Sequence, residues 1–340
     1  MRQGQVMIMP DSTDRMKVLE RIFERHPELK GEIGAGALTN RISLVKISGE
    51  YLMPDRMPSF IEEMADLSLV ARLVLVHGSG EPLSQALGYT EKHRGIRITP
   101  PEVIPIVVSV ATNLTTALVK GINQKGGMAE AVIPSADNPI FYFNKLEQGT
   151  DKGITTHFGE VGIVPIGREA RCITDVGVEL LQSIVYNGFM PVISPIAYKP
   201  RTLYNDPMSP LNPDADDIAR VITRRLNPNV TVFVTENSSS LGLNLEGVID
   251  YLKSRPPDVI RESSRQDLYR NEDWKIVAAV ELAVKGHKIA IVKGKNLAPF
   301  LLSSNPVRYS EVVLESSFGI MTMEKGGLPQ QPIRFLHHEY

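Results

Sequence analysis

Leu73-Val74-Leu75-Val76-His77-Gly78-Ser79-Gly80-Glu81-Pro82 is a short apolar run that breaks into a glycine turn. Successive apolar residues of this length read as a strand buried on both faces. The glycines let the chain turn sharply, and Pro82 suits the first turn of a helix that follows. The same punctuation stands upstream, where the apolar run 42–47 enters Ser48-Gly49-Glu50. Outward from these two turns, strand and helix patterns alternate. Further strands are expected at residues 129–133, 161–166, 190–196, 230–234 and 288–292. Helices are expected at residues 57–65, 101–122, 178–186, 216–226 and 274–284. This alternation predicts an α/β fold: a three-layer α/β/α sandwich with a mostly parallel central sheet and right-handed crossovers. Ligands of such sheets bind beyond the carboxyl ends of the strands, where both glycine turns lie.

The flanks carry less information. Residues 14–25 place Met16, Leu19, Ile22 and Phe23 at helical spacing, His26-Pro27 ends that helix, and residues 31–38 read as a linker. Residues 198–213 and 254–273 read as long loops, and residues 324–340 as an irregular tail. The 340 residues are 42% hydrophobic and 22% charged, which are ordinary globular values. A net charge of −2 gives no global basic field, so no nucleic-acid partner is expected. The single cysteine, Cys172, excludes an intrachain disulfide, and no Cys/His spacing fits a metal site. The first residues contain no long apolar run, so neither a signal peptide nor a membrane span is expected and the setting is cytoplasmic.

Phosphoryl transfer needs donor and acceptor held in line and cations or backbone amides on the transferring oxygens. Lys46 would put a positive charge at a strand's carboxyl end, beside Gly49, where backbone can approach a phosphate. Gly78 and Gly80 precede a helix whose free N–H groups form an anion site. Taken alone, each turn is better read as a tight strand-to-helix connection.

The order of the remaining motifs decides between these readings. From about Ser43 to Met323 the chain resembles the amino-acid kinase family, most of all its acetylglutamate kinases. The first turn is similar to the family's lysine-glycine turn, and the second to its Val-His-Gly-Gly-Gly-Pro turn. Arg94-Gly95-Ile96-Arg97-Ile98-Thr99 is similar to the segment that holds the substrate carboxylate. Gly159-Glu160-Val161-Gly162 resembles the family's Gly-x-Val-Gly, and the run from Asn187 to Pro195 its Gly-x-x-Pro-Val-Ile-x-Pro strand. Asn212-Pro213-Asp214-Ala215-Asp216 lines up with Asn-x-Asn-Ala-Asp, and Phe233-Val234-Thr235-Glu236 with Leu-x-Thr-Asp. Lys275 stands where the family has its second catalytic lysine, and Phe318 to Met323 resembles the closing Gly-x-x-Met strand.

The resemblance implies a carbamate-kinase-like fold with a kinase domain over residues 41–323. An acceptor-binding and dimerisation lobe (41–210) and a nucleotide-binding lobe (211–323) would lie between an N-terminal segment (1–40) and the tail (324–340). It implies ATP and Mg²⁺ as cofactors, no metal held by protein ligands alone, a small carboxylate acceptor with N-acetyl-L-glutamate foremost, and a homodimer or larger homo-oligomer. Lys46 and Lys275 would flank the transferring phosphoryl, with Asp216 holding them. Gly78, Ser79, Gly80, Arg97 and Asn212 would meet the acceptor. Lys46, Ser48, Gly49, Thr235, Glu236 and Lys275 would meet the nucleotide. His77 reads as a structural turn residue, because an ionised acceptor demands no general base. The leading helix either interlocks subunits, as in arginine-inhibited acetylglutamate kinases, or packs on its own domain.

The chain departs from the family pattern at four places. Ser48 stands for a glycine and looks more like the uridylate kinases, Ser79 interrupts the second glycine run, and Asp214 replaces an asparagine. Asn271-Glu272-Asp273-Trp274 replaces the Gly-Gly-Met before the second lysine. Two alternatives therefore stay open: a related kinase with another acceptor, and a catalytically weak regulatory subunit.

Overall fold

The structure, a computed structural model, describes residues 12–31, 33, 41–88, 91–93, 96–146, 148–151, 154–164, 171–201, 208–235, 278–279, 281–283, 285–303, 310, 312–315 and 319–322. Eight strands form the central sheet: β1 (Ile42–Ile47), β2 (Arg72–His77), β3 (Ala129–Val132), β4 (Met190–Ile193), β5 (Val230–Val234), β6 (Ile289–Val292), β7 (Val312–Glu315) and β8 (Gly319–Thr322). Their spatial order is β8-β7-β6-β5-β1-β2-β4-β3. From β3 to β6 every neighbouring pair is parallel. The last two strands add antiparallel at the β6 edge.

The helices are α1 (Ser12–Arg25), α2 (Met57–Val70), α3 (Gly80–Leu87), α4 (Ile104–Gln124), α5 (Asp175–Tyr186), α6 (Ala215–Leu226) and α7 (Leu297–Leu302). Residues 278–279 and 281–283 are also helical. The strands' alternation sorts their side chains into two cores. Leu44, Val74, Val76, Phe233 and Ile291 pack with Leu181 and Ile184 of α5, Ile218 and Ile222 of α6, and Ala278 and Leu282. Val45, Ile47, Leu73, Leu75, Val232 and Val292 pack instead with α1, α2, α4 and α7 through Ile22, Met64, Leu118 and Leu297. Each fully buried aliphatic side chain contributes about 1.5–3 kcal/mol, so both layers are needed to hold the sheet. Pro101–Gln124 is long and apolar enough to cross a membrane by length and composition, and one row of it, Val107, Ala111, Leu118 and Ile122, is buried within the protein.

The sequence reading of the 198–213 stretch as loop needs correction at both ends. Ala197–Tyr198 and Pro210–Pro213 are strands of a second, four-stranded sheet with Val161–Ile163 and Asn144–Lys145. They are too short for a period to show, and Pro210 and Pro213 lack the N–H that strands normally contribute. The tail from Glu324 and the 254–273 stretch lie outside the described residues.

Helix α1 lies on its own domain. Val18, Leu19 and Ile22 are buried, and Arg21 and Arg25 both reach the carboxylate of Asp66 on α2, at 2.6 and 2.5 Å. The arginines are exposed enough for water to screen them, so the clasp is worth little more than a good surface pair. Asp66→Ala should cost about 1 kcal/mol. Hydrogen exchange should rise in α1 while the central strands stay protected. Unchanged exchange in α1 would show that its apolar face alone holds it.

Candidate functional site

The two glycine turns meet at the carboxyl ends of β1 and β2. Gly78 N–H donates to the Ile47 carbonyl at 2.9 Å. A Cβ on Gly49 would stand 2.8 Å from Gly80 N, and one on Gly78 would stand 3.2 Å from Gly49 N. Close backbone approach is therefore what requires glycine at both positions. A Cβ on Gly80 would meet nothing within 4 Å, so packing does not explain that glycine. Ser48 Oγ accepts from Glu50 N–H at 3.2 Å and caps the short 3₁₀ turn Gly49–Leu52. Ser79 is buried just ahead of α3.

Lys46 follows from the alternation of β1. It points to the same face as Leu44, two residues nearer the strand's end, where the core gives way to the N-terminus of α6. There it forms an ion pair with Asp216, and both side chains are 6% exposed. Asp214 caps α6, its carboxylate accepting from Asp216 N–H at 2.9 Å. Asp214 keeps solvent-exposed surface, yet crowding by the surrounding protein, and then the neighbouring Asp216 charge, push its carboxyl up to about 7, with Lys46 pulling the other way.

That shift has a sign. A carboxyl raised in the fold is favoured protonated, so stability is lost as pH rises from its unfolded value to the folded one. Asp214→Asn keeps a good cap and removes the titration. The variant's melting temperature relative to the parent should therefore climb between pH 5 and pH 8. A gap that stays flat across thermal melts over that range would show that Asp214 is not held protonated by its crowded surroundings and the Asp216 charge.

The acceptor-side motifs are stitched together by backbone. Thr99 N–H donates to Phe158 O at 2.9 Å, and Glu160 N–H donates to Thr99 O at 2.7 Å. Asn212 N–H donates to Glu160 O at 2.8 Å, while its Nδ2 donates to Thr99 Oγ1 at 2.9 Å. Arg97 is buried, and its Nη2 donates to Gly80 O at 2.8 Å and Ser84 Oγ at 2.6 Å. It thus ties this segment to the second glycine turn. His77 is fully buried, and burial holds its imidazole down to about 4, hence neutral. Its Nε2 lies 2.7 Å from Thr115 Oγ1 and its Nδ1 3.4 Å from Gly78 O, so both ring nitrogens face polar atoms of the fold. This is a structural histidine.

Thr235 ends β5, buried, with its N–H on Val292 O at 2.9 Å. Glu236 and Lys275 lie outside the described residues. The structure thus brings Lys46 to Asp216, the two glycine turns to each other, and Arg97 and Asn212 to Gly80 and Thr99 respectively. Sequence reasoning missed the Lys145–Glu160 pair at 2.5 Å and the buried cluster of Asp217, Arg220 and Glu281. The only signal for the cluster is the spacing of Asp217 and Arg220 within one turn of α6.

No family model matches the sequence. Acetylglutamate kinase of Methanocaldococcus jannaschii is 24% identical over 235 residues, covering 67% of this chain and 71% of its own. That of Bifidobacterium animalis subsp. lactis is 27% identical over 222 residues, covering 62% and 68%. The chain is thus similar to acetylglutamate kinases of the amino-acid kinase family over about two thirds of its length. Among solved structures, N-acetylglutamate synthase from Neisseria gonorrhoeae, complexed with coenzyme A and N-acetyl-glutamate, aligns with a TM-score of 0.55 at 15% identity. The alignment covers 84% of this chain and 61% of that one, a likeness of fold.

Proposed function

We propose that this chain is an amino-acid kinase that transfers the terminal phosphoryl of ATP to the carboxylate of a small acceptor, with N-acetyl-L-glutamate the leading candidate, giving an acyl phosphate. The observation that carries the reading is the buried Lys46–Asp216 pair beside two interlocked glycine turns, in a chain related to acetylglutamate kinases. An acceptor carboxylate oxygen would bond to the γ-phosphorus as the bond to the β–γ bridging oxygen breaks and ADP departs. The acceptor is ionised beforehand, so no general base is needed. Lys46, joined by Lys275, would neutralise the oxygens of the transferring group, and Asp216 would keep Lys46 aimed. Backbone amides at Ser48 and Gly49, with Thr235 and Glu236, would meet the nucleotide. Gly78, Ser79 and Gly80 would line the path to the acceptor, with Arg97 and Asn212 held ready by their bonds to Gly80 and Thr99. Mg²⁺, arriving with the nucleotide, would offset the phosphate charge, and the Asp214 and Asp216 carboxyls would lie near it. The same reading carries a cytosolic setting and a homodimer or larger homo-oligomer.

The test is an ATP-dependent hydroxamate assay, which traps acyl phosphates, over a panel of acylated amino acids, free amino acids and phosphorylated acceptors followed in parallel by ADP release. Hydroxamate with N-acetylglutamate supports the reading. Turnover with a phosphorylated acceptor alone moves the chain to another branch of the family. ATP binding without turnover on any acceptor favours the regulatory alternative, which the sequence Asn271-Glu272-Asp273-Trp274 ahead of Lys275 motivates.

A further inference from the structure

The turn after β1 is held less by its own backbone than by one side chain. Within the 3₁₀ turn Gly49–Leu52, Tyr51 N–H donates to Ser48 O at 3.3 Å and Met53 N–H to Glu50 O at 3.4 Å, both longer than an ordinary N–H···O bond. Tyr51 is 7% exposed. It packs with Ile47 and Phe60 on the face of the sheet opposite Lys46, its ring centroid 5.9 Å from that of Phe60. The far end of the ring is seated on Gly294, which opens the short turn Gly294–Asn296 after β6. A Cβ on Gly294 would lie 2.3 Å from Tyr51 Oη and 2.4 Å from Cε1. Gly294 is not at positive φ, so contact with the ring, not backbone conformation, is what requires glycine there.

The contact reaches across a strand. β5 lies between β1 and β6, and neighbouring strands stand about 4.8 Å apart. Tyr51 therefore passes the end of β5, where Thr235 stands, to rest on the turn beyond it. On its other side the same turn is fixed at Gly49, where a Cβ would stand 2.8 Å from Gly80 N. The Ser48–Gly49 backbone is thus set between the second glycine turn and the end of β6.

We propose that Tyr51, seated on Gly294, is a positioning residue for the nucleotide: it sets the Ser48–Gly49 amides against the ends of β5 and β6. This inference rests on the nucleotide side of the phosphotransfer reading above. The ring lies behind the turn and acts through it. An amide moved off a phosphate oxygen loses a hydrogen bond to a charged group, which is about 10-fold in affinity. Tyr51→Leu keeps an apolar fill without the reach to Gly294. It should raise the Kd for Mg-ATP about 10-fold and leave KM for the acceptor near parental. Gly294→Ala should raise the same Kd at least as much, because ordinary contact between carbons needs about 3.5–4.0 Å and the ring must shift by about 1 Å. The double variant Tyr51→Leu with Gly294→Ala is decisive. The ring atoms that the new methyl would strike are absent from leucine, so it should bind ATP no worse than Tyr51→Leu alone. The two effects do not add.

Calorimetric titration with Mg-ATP reads the Kd, beside acceptor KM from ADP release and thermal melts. A merely structural ring predicts lower melting temperatures with parental Kd in the folded molecules, and parental Kd in Tyr51→Leu overturns the positioning role. Losses that add in the double variant overturn the seat on Gly294 as their cause. A matching rise in acceptor KM overturns the assignment to the nucleotide side. Should Gly294→Ala fail to fold, Tyr51→Leu and the double variant carry no clash and still decide, by an equal, raised Kd or by a parental one. A parent that binds ATP but turns over no acceptor sinks the phosphotransfer reading and leaves this inference standing. A parent that binds no ATP overturns both.

Discussion

Lys46→Ala should abolish detectable acyl-phosphate formation, lowering kcat by at least about 100-fold, the usual cost of removing one preorganised charge from a transferring oxyanion. The reasoning runs through position. β1 has an apolar neighbour on each side, β2 and β5, so charge on its inner face is expensive unless paired. Lys46 nevertheless stands in register with Val76 and Phe233 and is buried, and Asp216 offsets its charge. Removing the lysine leaves Asp216 buried without its cation, which costs about 3–5 kcal/mol. A loss of activity could then be mistaken for a loss of fold. Lys46→Met combined with Asp216→Asn separates the two, since it removes both charges and should restore much of the stability without restoring transfer. Measured per folded molecule, kcat in that pair should stay at the level of Lys46→Ala. Recovery of more than about a tenth of parental kcat there would mean that Lys46 serves the fold and that the phosphoryl is neutralised elsewhere.

Much of this arrangement is legible in the amino-acid sequence, and the reason lies in how the signals are encoded. β1 and β5 fall at the expected residues because each is a short stretch dominated by apolar and β-branched residues, Ile-Ser-Leu-Val-Lys-Ile and Val-Thr-Val-Phe-Val. Lys46 and Asp216 are legible because both sit where such a run ends or a helix begins, so a local pattern marks them. The sequence-based helix at 57–65 extends to Val70, since Asp66 and Ser68 look like exposed polar residues yet are buried by partners. Asp66 is neutralised by Arg21 and Arg25, 45 and 41 positions away, and no window along the chain contains that information. Arg220 and Glu281 are hidden for the same reason, at a separation of 61 positions. Buried ion pairs, unlike apolar faces, have no period. The strand at Pro210–Pro213 fails differently: its identity comes from pairing with Val161–Ile163, not from its own composition.

The second large effect is expected at a residue with no side chain. Gly159→Ala should destabilise the protein by about 2–6 kcal/mol, the sum of left-handed strain and overpacking. Gly159 has φ +74°, a conformation that L side chains rarely adopt. A Cβ there would lie 2.1 Å from Thr99 O and 2.7 Å from Thr99 C, both backbone atoms that cannot rotate away. Relief requires Thr99 to move, and Thr99 O is the acceptor for Glu160 N–H while Thr99 Oγ1 is the acceptor for Asn212 Nδ2. The substitution should therefore do more than lower the melting temperature. It should pull apart the stitching that holds Asn212, and with it the side of the site proposed for the acceptor. In the folded fraction, KM for the acceptor should rise while KM for ATP stays near parental, because the Lys46–Asp216 pair and the Gly49 turn lie in other elements. Equal loss of both substrates would show that the two sides of the site move as one body. Gly88→Ala is the control: it too has positive φ, at +68°, but a Cβ there meets nothing within 4 Å. It carries the backbone strain without the clash, about 1 kcal/mol, and should leave both KM values unchanged. The difference between the two variants then measures what close contact with Thr99, rather than backbone conformation, contributes to the acceptor side.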